Sequence, residues 1–197
     1  MTHEEILERV WVLLTRGAAN RKDDFHTPAF STIGLNGAPE IRTVVLRKIL
    51  RESRLLICHV DSRSPKIAEI RKDGRVSWLF YHIEEKLQLR IRGLATIHTD
   101  DEIANAQWQN TQLFSRRCYC GDAPGTFKND PSSGLPEFLI DREPTLEESE
   151  QLGRKNFAVL SSTIDEMDVY ELNVKGHRRS LFKWNEPGEL ETWWLTP

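Results

Sequence analysis

AFSTIGLNGAPEIRTVVLRKIL, residues 29–50, is the stretch whose reading decides the fold. Ala29 to Leu35 reads as a strand. Asn36-Gly37 is the strongest short hairpin signal, because both residues accept the positive φ of a type I′ turn. Ile41 to Leu50, rich in Val, Ile and Leu, then reads as a second strand. Within it Arg42 and Arg47 frame the apolar run Val44-Val45-Leu46. In a regular strand residues five apart point to opposite faces. The two arginines share a site only if the chain twists, bulges or ends between them. Cations framing a buried strand need partners, and an anion or structural salt bridges would each supply them.

Working outward, Thr2 and Glu5 have capping-box spacing. Ile6, Val10, Leu13 and Leu14 follow at helical intervals, with Gly17 as the expected end. Leu55 to Val60 is a third strand. Ser64 and Pro65 suit the N-cap and first position of a short helix closed by Asp73-Gly74. Strands are expected at Val76 to His82 and Leu87 to His98, around the turn Glu84-Glu85-Lys86, and a helix at Asp100 to Gln109. Asn110 to Arg142 reads as a long loop. Thr145-Leu146-Glu147-Glu148 is a second capping box, opening a helix to about Lys155. Strands at Phe157 to Ser161, Met167 to Asn173, Arg179 to Trp184 and Glu191 to Leu195 complete the order, with turns at Gly176 and Pro187-Gly188. That order predicts one mainly antiparallel β-barrel domain over residues 1–197 with added helices. It lacks the alternation of a Rossmann sheet.

Composition narrows the function classes. The 197 residues are 39% hydrophobic and 29% charged, which is a globular composition. Lys plus Arg number 27 against 30 Asp plus Glu, a net charge of −3. That balance argues against a nucleic-acid binder or a membrane-surface binder. No apolar run reaches the roughly 20 residues of a spanning helix. The acidic start Met-Thr-His-Glu-Glu does not read as a signal peptide, so the expected compartment is the cytoplasm. Cys58, Cys118 and Cys120 make neither a disulfide framework nor a zinc site, and no metal is expected.

Four places carry candidate chemistry. Ser62-Arg63-Ser64-Pro65-Lys66 opens a helix, where free N–H groups and basic side chains favour an anion; a capped surface helix has the same pattern. Arg42 and Arg47 are the second. The third is Leu87-Gln88-Leu89-Arg90-Ile91-Arg92-Gly93, whose alternation puts Gln88, Arg90 and Arg92 on one face. Such a face is commonly solvated, but an amide that both donates and accepts can read a heterocyclic imide edge. The fourth is the basic turn Gly176-His177-Arg178-Arg179. Trp193-Trp194 reads as barrel-seam or dimer-face packing more than as a ligand stack.

In their joint order these segments resemble the pyridoxamine 5′-phosphate oxidase-like family of FMN-binding split barrels. The Arg-x-Val-Leu-Leu-Lys strand of that family reads Arg42-Thr43-Val44-Val45-Leu46-Arg47 here. Its Ser-x-Lys helix start reads Ser64-Pro65-Lys66, and its Gln-x-x-x-x-Gly strand runs Gln88 to Gly93. The late basic hairpin is His177-Arg178-Arg179, and the ending is Trp193-Trp194-Leu195-Thr196-Pro197. The resemblance implies an FMN-binding split β-barrel in which Arg42, Ser64 and Lys66 hold the FMN phosphate. His59 and Val60 would line the ribityl and phosphate region. Thr43 and Val44 belong to the same flavin-binding strand, Val45 and Arg47 would sit by the isoalloxazine ring, and Gln88 would bond its pyrimidine edge. It further implies a homodimer with the flavin at the interface, and Arg178, Arg179 and Ser115-Arg116-Arg117 reaching it from the second subunit.

This chain departs from the family pattern. Arg47 replaces the ring lysine, Pro65 replaces one basic phosphate contact, and the late aromatic position falls near Leu172. The helix expected to grip a substrate phosphate offers Trp108, Asn110 and Thr111 between Asn105 and Gln112, without an arginine. The resemblance therefore implies an oxidoreductase of the oxidase-related branch acting on an unidentified small molecule, with no catalytic residue assigned. A true pyridoxamine/pyridoxine 5′-phosphate oxidase and a non-enzymatic flavin- or heme-binding module are the alternatives.

Overall fold

The computed structural model describes residues 1–185 and 188–197. Helix α1 spans His3–Ala19, and both halves of its Thr2/Glu5 capping box form. Its apolar stripe buries Ile6, Val10, Leu13 and Leu14, each contributing about 1.5–3 kcal/mol on burial. Gly17 does not end this helix. It lies inside it, where a Cβ would meet the Cβ of Phe25 at 2.6 Å. The glycine is needed for close packing.

Among the described residues nine strands follow in one sheet: β1 Ala29–Ile33, β2 Pro39–Thr43, β3 Leu46–Leu50, β4 Leu55–Asp61, β5 Arg75–His82, β6 Leu87–His98, β7 Phe157–Glu171, β8 Arg178–Trp184 and β9 Leu190–Leu195. Their order is β2-β1-β5-β6-β7-β4-β3, with β8 on β7 and β9 on β8. Helices α2 (Pro65–Lys72) and α3 (Glu102–Gln109) are inserted after β4 and β6. Pro187, half of an expected turn, lies outside the described residues. Among the described residues no helix is long and apolar enough to cross a membrane, and no cluster suits a metal ion.

Two strand expectations are corrected. Residues 41–50 are not one strand. The ladder stops at Thr43 and resumes at Leu46, and β2 and β3 lie at opposite ends of the sheet order. Val44 and Val45 alone bridge them, the Val44 N–H donating to the Pro28 carbonyl at 3.1 Å. The sheet curls until its two ends nearly meet, yet they form no ladder, which is the split of the barrel. Conversely, Phe157 to Glu171 is a single strand, and polar residues in its middle hide its continuity. Ser162 there is buried and accepts from the Trp78 indole at 3.2 Å.

Strand β7 is the spine, pairing with β6, β4 and β8. At Gly93 the β6–β7 register shifts, and a Cβ would fall 1.8 Å from the Thr163 carbonyl oxygen. Only glycine fits that approach. The main core lies inside the barrel under α1, around Phe30, Trp78, Leu89 and Leu160. A smaller cluster of Ile57, Trp108, Tyr119, Phe157 and Val159 sits under α3 on the other face of β4 and β7.

Candidate functional site

The turn from β4 into α2 assembles the first group. Ser64 is the N-cap and Pro65 the first helical residue, as the sequence implies. The Lys66 ammonium donates to Ser64 Oγ at 3.0 Å, and the Ser64 hydroxyl donates to the Asp61 carbonyl at 2.8 Å. Lys66 is half-buried. Burial, then the like charge of Arg42, lowers its pKa. Among the described residues it has no carboxylate partner within salt-bridge distance.

The N–H groups of this turn are not free. Ser62 donates to the Asn156 carbonyl at 2.8 Å and Ser64 to that of Asp61 at 3.1 Å. The Arg63 N–H is taken by the Asp61 carboxylate at 2.8 Å. Arg63 itself is spent on Asp61 through Nε at 2.9 Å and Nη2 at 2.7 Å, and on the Gly121 carbonyl at 3.0 Å. An anion here is therefore held by side chains.

Arg42 projects from β2 to Thr32 and to Glu69 of α2, 3.1 Å away. The buried Glu69 carboxylate explains the cation as a structural pair, and its approach to Lys66 adds positive potential to the same turn. Arg47 behaves differently. It sits at the β3–β4 register shift between Leu46 and Lys48, exposed, with no hydrogen bond or ion pair among the described residues. Because the strand ends at Thr43 and the next ladder is irregular after Leu46, the strict alternation of a regular strand does not hold between residues 42 and 47.

Cys58 and His59 are close enough to Arg47 to feel its charge. Burial pushes the Cys58 thiol up to about 12. Burial also holds His59 down to about 4, so its imidazole is neutral at pH 7. His59 Nε2 lies 3.2 Å from Gln107 Oε1, and its ring meets Phe157 edge-on at 5.0 Å. Val60 is buried in the core. Thr43 is exposed, and Val44 and Val45 are partly buried in the crossing.

The second group lies on the outer face of the sheet. Gln88 alternates with buried Leu87 and Leu89 and pairs in register with Tyr81 and Tyr170. Its amide makes no hydrogen bond among the described residues. Beside it Asp168 accepts from Arg179 at 3.0 and 2.8 Å and from Arg90. Burial opposes ionisation of Asp168, but these bonds win and hold its pKa below the usual range. Arg178 pairs with Glu171 at 3.2 Å, and Arg92 with Glu166 at 3.2 Å. Arg42 is in register with buried Phe30, so within one chain Gln88 and Arg42 occupy opposite faces of the sheet.

Two expected contributors are spent elsewhere. Arg116 is buried. It donates to the carbonyls of Thr111 at 2.9 Å, Trp108 at 2.9 Å and Gln109 at 3.3 Å, and pairs with Glu150 at 3.1 Å. Its guanidinium also stacks over Trp108. Arg117 donates to the carbonyls of Leu139, Ile140 and Arg142. Both clamp the 110–142 segment, so neither is available to an incoming ligand. Trp193 and Trp194 are exposed on edge strand β9 and do not fill a seam. Trp194 stacks on His3 at 4.1 Å. The sequence reading missed Glu69, Asp61 and Gln107. Glu69 had a signal, lying one helical turn after Lys66.

Residues 8–99 match the family model described as pyridoxamine 5′-phosphate oxidase, FMN-binding domain. That segment contains Arg42, Arg47, Ser64, Lys66 and Gln88. A pyridoxine/pyridoxamine 5′-phosphate oxidase 2 of Arabidopsis thaliana is 31% identical over 128 residues, 56% of this chain and 65% of its own length. The fold is similar to a pyridoxamine 5′-phosphate oxidase-related, FMN-binding protein of Nostoc punctiforme PCC 73102 (TM-score 0.74, 21% identity, 96% of each chain). It is also similar to PhzG of Burkholderia lata 383, solved with tetrahydrophenazine-1-carboxylic acid (TM-score 0.68, 19% identity, 100% of this chain and 94% of that one). The architecture is that of the FMN-binding split barrels.

Proposed function

We propose that this chain, whose residues 8–99 match the FMN-binding domain of pyridoxamine 5′-phosphate oxidase and whose fold is similar to that of FMN-binding split barrels, is a member of that family and an FMN-dependent oxidoreductase for a small organic molecule. The observation that carries the reading is Lys66: a half-buried ammonium whose one hydrogen bond among the described residues is to Ser64 Oγ, repelled by Arg42 and attracted by Asp61 and Glu69 only from beyond salt-bridge distance. A phosphate dianion fits that set, since it supplies negative charge and accepts from the Lys66 ammonium and the Arg42 guanidinium, while the Ser64 hydroxyl, donating to the Asp61 carbonyl, orients Lys66. Arg47 and the unpartnered Gln88 amide are the groups left for a polar heterocycle. When bound, the flavin supplies the electron acceptor, and the protein positions it and tunes its electronics.

Because Arg42 and Gln88 face opposite ways, the reading includes a homodimer, with one copy giving the phosphate turn and the other an outer face. Exposed Ile41, Leu79, Tyr81 and Trp193 support this, since they lie in or beside cross-strand rows with Arg90 and Asp168. The test is the absorbance of purified protein with an FMN titration and a light-scattering mass. A yellow dimer is expected; a colourless protein that binds no added FMN overturns the proposal.

Similarity to the Arabidopsis oxidase favours a second reading, oxidation of pyridoxamine phosphate itself. The chain's own residues oppose it. Helix α3 carries no Arg or Lys, and Arg116 beyond it is consumed. We expect turnover of pyridoxamine phosphate by the FMN-loaded protein to stay below about 0.1 per second, roughly two decades under a typical enzyme.

A further inference from the structure

Away from the phosphate turn, three side chains meet beneath α3 in an arrangement that flavin binding does not use. His98, near the end of β6, has Nε2 3.0 Å from Ser161 Oγ on β7 and Nδ1 2.6 Å from Asp101 Oδ2. Asp101 is the N-cap of α3, and its other oxygen accepts the Ala104 N–H at 2.9 Å. Arg154 ties down the intervening turn by donating to the Thr99 carbonyl at 2.8 Å. The carboxylate is therefore fixed before it meets the imidazole. That contact sets the tautomer: Nδ1–H donates to Asp101, and Nε2 accepts from the Ser161 hydroxyl.

We propose that Ser161, His98 and Asp101 form a serine acyl-transfer site for esters with a short apolar acyl chain. Ser161 is nine-tenths buried but opens onto a groove of about 500 Å³. Leu50, Leu55, Ile57, Ile103 and Ala106 line its apolar walls, which suits an acyl chain. Its polar wall, besides His98 and Ser161, is Lys48, Thr96, Glu102 and Gln107. The row Lys48–Ile57–Ser161 runs across three strands, so Lys48 shares the face of Ser161 about 10 Å away at two strand spacings. Lys48 forms no ion pair among the described residues. It and the Gln107 amide are the donors for a developing oxyanion, since the strand ladders occupy the local backbone.

The chemistry balances without a cofactor. Ser161 Oγ bonds to the ester carbonyl carbon as its proton passes to His98 Nε2. The carbon–oxygen bond to the alcohol then breaks, and the alcohol oxygen takes that proton. Water attacks the acyl-serine, gives its proton to Nε2, and the acid leaves as Ser161 regains a hydrogen.

The test uses the flavin-loaded protein with diisopropyl fluorophosphate and p-nitrophenyl butyrate. One adduct per chain, mapped to Ser161 by peptide mass, is expected, together with release of p-nitrophenol. Ser161→Ala should abolish both. His98→Gln should slow both by about a hundredfold or more, with unchanged circular dichroism and flavin spectrum. Wild-type protein that takes no adduct at Ser161 overturns the proposal whatever the variants do, as does hydrolysis that survives Ser161→Ala.

Discussion

Arg116 and Lys66 are both cations at short helices, and their surroundings treat them oppositely. Around Arg116 the chain offers three carbonyls, a hydroxyl, a carboxylate and an indole face. Around Lys66 it offers one serine oxygen in hydrogen-bond contact, a second cation, and the Asp61 and Glu69 carboxylates only beyond salt-bridge distance. A buried guanidinium with every donor engaged is part of the architecture. A half-buried ammonium left short of partners is what the proposed phosphate site requires. Charge and position in the sequence do not separate these cases; the inventory of neighbouring acceptors does.

The largest effect that sharpens this contrast belongs to Arg116. Arg116→Ala strands buried carbonyls and removes a clamp on the 110–142 segment, and should cost about 3–5 kcal/mol in urea denaturation. FMN affinity of the folded fraction should be unchanged. A flavin loss as large as the stability loss would break the comparison.

His59 is next, half-buried and with two weak partners, Gln107 Oε1 at 3.2 Å and Thr111 Oγ1 at 3.5 Å. Its folded value is about 4 against an ordinary 6.5. As pH falls, the unfolded chain binds a proton first, so stability is full above about pH 6.5 and declines toward pH 4, by roughly 2–3 kcal/mol. Denaturation of His59→Gln at pH 7 and pH 4.5 should show a flatter dependence than wild type.

Lys66→Ala follows. Charge-assisted bonds to phosphate are each worth about 1.5–3 kcal/mol, so FMN should weaken by roughly one to two orders of magnitude in a fluorescence titration, with riboflavin nearly unaffected. Equal losses for both ligands would make Lys66 structural after all. The smallest effect is the converse one. Lys66→Met relieves the repulsion with Arg42 and should raise flavin-free stability by about 0.5–1 kcal/mol, the usual sign where a residue is kept for function.

Much of this was legible in residue order. Both capping boxes, at Thr2 and Thr145, form as written, because cap chemistry is local. The hairpin at Asn36-Gly37 also forms, with Gly37 at φ 85°. That the strand must break or bulge if residues 42 and 47 are to share a site follows from parity alone, and a break and a bulge are both present. The division of residues 41–50 was not: Val44-Val45 carries no turn residue, and only the closure of the sheet ends a ladder there. Nor was the fate of Arg63, Arg116 and Arg117, which, besides local partners such as Asp61 and Trp108, are held by groups far along the chain at Gly121, Glu150 and Leu139. Arg42 shows the limit from the other side. It was read as a phosphate ligand, and it also holds Glu69, so Arg42→Ala would confound binding with the cost of a buried unpaired carboxylate.

Strand β7 carries a consequence for where this molecule can be cut. Residues 8–99 hold Arg42, Arg47, Ser64, Lys66 and Gln88, but β4 and β6 each take one neighbour from residues 157–171. A fragment ending at residue 99 would keep those five side chains and expose two raw strand edges, at the very strands that present Ser64 and Gln88. Such edges recruit other chains. The segment that carries the proposed ligand contacts therefore depends, for its solubility and for the spacing of those side chains, on a strand encoded more than fifty residues beyond its own end.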